Sequence, residues 1–155
     1  MEDMTTIEKV RRINLNEVSP EVYEAMLVLN SAAAKDIDPD LAELIKIRAS
    51  QMNHCAFCLD MHTADARKRG IPEQKLTLLP AWEEAEGVYT EQEQAALALT
   101  EEITDLTRRN VSDEVYARAA AVFSERELAQ VIAMALTINA WNRIGVTTRL
   151  RVPKR

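Results

Sequence analysis

The chain has 155 residues, enough for one domain with a full core, and its 25 acidic and 19 basic side chains give a formal charge of −6. That balance argues against a nucleic-acid or anionic-membrane surface. Residues 1–8 carry neither the basic n-region nor the apolar h-region of an export signal, and no apolar run is long enough to span a bilayer, so a cytoplasmic protein is expected. Only three glycines and five prolines occur, while Ala, Leu and Glu are abundant, which points to an all-α fold.

Residues 1–18 mix charged and β-branched side chains without clear periodicity and read as an irregular arm, folded over the domain or a neighbour. Ser19-Pro20 is a helix start, a capping hydroxyl followed by Pro at the first helical position, with Val22, Met26 and Leu29 at helical spacing. Asp38-Pro39 repeats the signal, and Leu41, Leu44, Ile45 and Met52 predict a helix to about Asn53. Arg48 falls on its apolar stripe and is expected to snorkel or pair at a helix interface. Glu43, read unaided, is a solvated surface carboxylate.

Residues 53–66 hold both cysteines and both histidines of the chain. Ala56, Leu59, Met61, Ala64 and Ala66 suit a helix, and neither Gly nor Pro intervenes before Gly70. Side chains three and four apart share a face, so Cys55, Cys58 and His62 line one stripe and Asp65 continues it. Phe57, Met61 and Ala64 form a second stripe, suited to a core. A Cys-x-x-Cys pair at a helix N-terminus favours thiolate, the reactive form, and places a second sulfur to close a disulfide. A peroxide would oxidise one thiolate to sulfenic acid, and the other thiol would condense with it.

Gly70 ends that helix, with Lys68 and Arg69 in its last turn. Pro72 opens a short helix with Leu76 and Leu79, Pro80 interrupts it, and Trp82 anchors the turn. Thr90 to Glu93 and Ser124 to Glu127 match capping boxes. The first precedes a long helix with Leu97, Thr100, Ile103 and Leu106 inward. Ser112 caps another, carrying Val115, Ala119 and Val122. The second box precedes the most apolar helix: Leu128, Val131, Ile132, Ala135, Leu136 and Ile138. Asn139 and Asn142 continue its stripe and need polar partners, either on neighbouring helices or at the cysteine site. Residues 146–155 form a tail, β-branched and basic at its start, suited to lie against another subunit.

The order Glu43, eleven residues, Cys55-x-x-Cys58, three residues, His62 resembles the AhpD-like alkylhydroperoxidase family, within the carboxymuconolactone decarboxylase superfamily. Ala49-Ser50-Gln51-Met52-Asn53, Asp60-Met61-His62-Thr63 and Asn139-Ala140-Trp141-Asn142-Arg143 fit as well. The likeness spans about residues 20–145 and implies a compact all-α domain, a single one over residues 1–155, that assembles into trimers or hexamers. It implies thiol-dependent peroxide reduction or disulfide exchange with a dithiol reductant, without cofactor, metal or membrane. By the match, Cys58 attacks the peroxide, Cys55 supplies a proton and resolves the sulfenic acid, and His62 with Glu43 and a water forms the proton relay. The founding enzyme has a second relay histidine where Phe57 stands here, and His54 precedes the first cysteine instead. Superfamily decarboxylases lack the cysteine pair. Two further readings compete: a zinc module holding the ion with Cys55, Cys58, His62 and His54, and a non-catalytic oligomeric redox sensor.

Overall fold

A computed structural model describes residues 9–155; the part of the arm at residues 1–8 lies outside it. Among the described residues there are eight α-helices and no strand: α1 (Leu15–Val18), α2 (Pro20–Ala33), α3 (Pro39–Met52), α4 (Ala56–Lys68), α5 (Glu73–Leu78), α6 (Glu91–Thr104), α7 (Asp113–Val122) and α8 (Glu125–Thr148), with a 3₁₀ segment, Leu79–Glu84, after α5. The expected all-α class holds. Among the described residues no helix is long and apolar enough to cross a membrane.

Helix α3 is central, packing on α4, α6 and α8. Its sequence buries two faces. Leu41, Ala42 and Ile45 join Ala95, Leu99, Val131, Met134 and Ala135 in one cluster. Leu44 and Ile47 join Ala66, Leu76, Leu79, Trp82 and Leu97 in the other. Fully burying one such side chain contributes roughly 1.5–3 kcal/mol, so α3 is pinned from both sides. Small residues at the crossings, Ala49, Ala95, Ala96 and Ala135, are all fully buried and let the helices approach closely.

The helix starts follow the caps. Asp38 accepts from the backbone N–H of Asp40 and Leu41, and both capping boxes close on Thr90 and Ser124. Ser19 occupies its cap position, but its hydroxyl donates to Glu21 Oε1 at 3.0 Å and caps nothing. Arg48 donates to Glu101 Oε1 at 2.7 Å, and Trp82 Nε1 donates to the same oxygen, which accounts for both as interface anchors.

Four expectations need correction. The arm is not wholly irregular: α1 forms where Asn14 accepts from the N–H of Asn16 and Glu17. Leu106 is exposed, because α6 ends two residues earlier. Leu136 is exposed on the outer side of α8. The tail begins later than residue 146, since α8 runs on to Thr148, whose hydroxyl donates to Ile144 O, and ends at a left-handed Arg149. Packing of α8 against α2, α3 and α6 outweighs the low helix propensity of its β-branched end.

Candidate active site

Helix α3 stops at Asn53 and α4 starts at Ala56, so the chain reverses within three residues. His54 takes the left-handed conformation that this turn needs, at φ 54°. Cys55 is the N-cap of α4: its Sγ accepts the Cys58 N–H at 3.3 Å, and its own N–H donates to Ser50 O. Both sulfurs therefore lie where the unpaired N–H groups of α4 and its dipole favour negative charge. Cys55 and Cys58 are joined as a disulfide, with Cα atoms 5.3 Å apart.

The reversal also sets the carboxylate. Glu43 lies ten residues before Asn53 and His62 seven after Cys55, and because α4 packs on α3 the two meet. Glu43 is buried, not solvated, which overturns the unaided reading of it. Its Oε2 lies 3.3 Å from His62 Nδ1, and its Oε1 accepts from Lys46 Nζ at 2.9 Å. The histidine contact is close but poorly aligned, and among the described residues neither atom has another partner. Burial pushes the Glu43 carboxyl up, but the close approach of His62 together with the hydrogen bond and charge of Lys46 outweighs it, and the net shift is downward. Glu43 is thus held ionised.

Cys58 and His62, one helical turn apart, open onto a cleft of about 540 Å³ with Lys46 and Asp65. Its walls include Tyr23, Phe57, Met61 and Trp141. Tyr23 and Trp141 meet edge to face at 5.5 Å, and Trp141 Nε1 donates to Asn30 Oδ1. The second stripe of α4 was therefore misplaced by periodicity: Phe57 and Met61 face the cleft, and the core side is Leu59 and Ala66. His54 is exposed and does not border the cleft.

The zinc set fails to assemble. Among the described residues, the side chains that converge closely enough for an ion are Glu43, His62 and Asp65, without either cysteine or His54.

Asn139 and Asn142 answer both readings made of them. Asn53 Nδ2 donates to Asn139 Oδ1 at 2.9 Å and Asn142 Oδ1 at 3.0 Å, and Asn142 Nδ2 donates to Ser50 Oγ. Asn139 Nδ2 reaches Thr104 Oγ1. These are helix-to-helix bonds, and they fasten α8 to the residues immediately before Cys55. Sequence reasoning missed Lys46, although its spacing from Glu43 puts both on one helix face.

The family model described as the carboxymuconolactone decarboxylase family matches residues 20–102, more than half of the chain. The uncharacterized protein YdfG of Bacillus subtilis is 41% identical over 137 residues, covering 88% of this chain and 92% of its own. A crystal structure from Agrobacterium tumefaciens, of a protein of unknown function provisionally named as the antioxidant defence protein AhpD, superposes with a TM-score of 0.89 at 35% identity. The match covers 94% of this chain and all of that one. The debrominase Bmp8 shares the fold at a TM-score of 0.78 and 19% identity, over 88% of this chain and 74% of its own. By sequence and by architecture the chain belongs to the carboxymuconolactone decarboxylase family, among its AhpD-like members.

Proposed function

We propose that the protein is a thiol-dependent peroxidase or disulfide reductase of antioxidant defence, with Cys58 as the attacking thiol. One observation carries this reading: Cys58 of a closed Cys-x-x-Cys disulfide shares a cleft with His62, whose Nδ1 faces a buried, ionised Glu43. In the dithiol form, His62 backed by Glu43 takes the Cys58 proton. The thiolate attacks the peroxide O–O bond and becomes a sulfenic acid, and the alcohol leaves with a proton from Cys55. The Cys55 thiolate then attacks the sulfenic sulfur, the displaced hydroxide leaves as water with the proton held on His62, and the disulfide forms. An external dithiol returns two electrons and two protons and is itself oxidised to a disulfide. Phe57, in the place of a second relay histidine, leaves His62 and Glu43 as the relay. Assembly as a homo-oligomer belongs to the same reading and is supported by exposed apolar side chains on α2, among them Val22 and Val28.

The test is a turnover assay with organic hydroperoxides and several dithiol reductants, comparing the intact protein with Cys58→Ser. The expected result is peroxide consumption that falls to background in the variant, with a two-proton mass difference between oxidised and reduced wild type. Inertness of wild type toward every peroxide and every disulfide substrate would sink the catalytic reading in favour of a sensor.

A further inference from the structure

Gly145 is one of three glycines in the chain. The other two, Gly70 and Gly87, sit at positive φ in turns. Gly145 has no such backbone reason: it is buried inside α8, where glycine is a poor helix former. What surrounds it is sulfur. A Cβ at this position would stand 2.8 Å from Cys55 Sγ and 3.3 Å from Cys58 Sγ, with Leu150 Cδ1 next at 3.9 Å. Both sulfur distances are shorter than the ~3.5–4.0 Å at which even two carbon atoms rest.

We propose that Gly145 is a positioning residue of the thiol pair: its missing side chain leaves the slot that accepts the closed disulfide, and so sets how readily the pair is reduced. This rests on reading Cys55 and Cys58 as a redox pair, though not on peroxide as the oxidant. The two redox forms need the slot unequally. In the disulfide, each sulfur is tied to the other and neither can turn away from α8. In the dithiol, each rotates about its own χ1, and Cys58 borders open cleft. Asn142, which donates to Ser50 Oγ and accepts from Asn53 Nδ2, stops the Cys55 turn from backing off. A side chain at 145 therefore disfavours the disulfide more than the dithiol. The reaction concerned is balanced by a small dithiol such as dithiothreitol. The S–S bond breaks, two electrons and two protons enter the protein, and the reagent closes to its own cyclic disulfide.

The experiment titrates wild type and Gly145→Ala against dithiothreitol redox buffers, with alkylation and mass spectrometry as readout. The variant is expected to be at least ~10-fold easier to reduce, a potential about 30 mV less negative. Thermal unfolding of both forms accompanies it. The substitution lowers Tm of the oxidised protein and spares the reduced one. In a Cys55→Ala background, where the nearer sulfur is gone, Gly145→Ala leaves Tm unchanged or raises it; this arm decides the matter if Gly145→Ala alone fails to fold. An unchanged or more negative potential, or an equal loss of Tm with and without the Cys55 sulfur, overturns the inference. A wild-type pair that never closes removes the redox reading and this inference together. A pair that closes normally and ignores the substitution removes only the role of Gly145.

Discussion

Two polar clusters border the cysteine turn, and they are built on opposite terms. Glu43, Lys46, His62 and Asp65 are titratable, the last three line a cleft with Glu43 buried behind His62, and among the described residues Glu43 Oε2 and His62 Nδ1 have nothing but each other. Ser50, Asn53, Asn139 and Asn142 are neutral, and their amide and hydroxyl groups pair among themselves and with Thr104. A group that moves a proton must keep a lone pair free and change charge without wrecking its surroundings. A group that holds a turn in place must have no such freedom, because an unmade bond in the interior costs about 1–3 kcal/mol. The first cluster has the features of chemistry and the second those of a frame.

The sharpest way to break this contrast is His62→Ala. Loss of general-base help should lower kcat about 10²–10⁴-fold, while the unfolding free energy moves by about 1 kcal/mol or less. Steady-state kinetics and urea denaturation on the same preparation check both halves. Asn142→Ala should show the reverse pattern. It strips partners from Ser50 and Asn53 at a fully buried position. About 2–3 kcal/mol of stability should go, with activity per folded molecule nearly kept. A large kcat loss in a well-folded Asn142 variant would merge the two clusters into one.

The smallest effect is a displacement on the pH axis. Lys46→Met removes the charge that offsets burial at Glu43, so the carboxyl moves up and the acid limb of the pH–rate profile moves to higher pH. Stability follows the same sign. In wild type the Glu43 carboxyl sits below its ordinary value of 4.5, so its contribution is present above that value and lost as pH falls through the folded pKa. In the variant, the acid-side loss begins at higher pH. Unfolding midpoints measured across the acid range test this.

Helix starts were readable because caps are local chemistry: Asp38, Thr90 and Ser124 each act within three residues of themselves. That Cys58 and His62 share one face of α4 was readable for the same reason. Glu43 was not, since a glutamate in an amphipathic pattern looks solvated until the three-residue reversal at Asn53 folds α4 onto it. Its candidacy came from the family resemblance. Phe57 and Met61 show the limit of periodicity, which finds an apolar stripe but cannot say whether it faces protein or a cleft. Asn53 joins residues far apart in sequence and left no local sign. Gly145 left none: beside a β-branched stretch that reads as tail it passes for an ordinary helix end, and only the run of α8 to Thr148 places it inside the helix.

The cleft is lined in part by segments near the two ends of the described chain. Arg12 donates to the carbonyls of Val146 and Thr147, Asn14 and Leu15 line one part of the wall, and Leu150, just past the end of α8, lines another. Selectivity for solute size can therefore drift in evolution by remodelling two peripheral straps, with the buried helices left untouched. Relatives alike in their interior would then differ in what they admit.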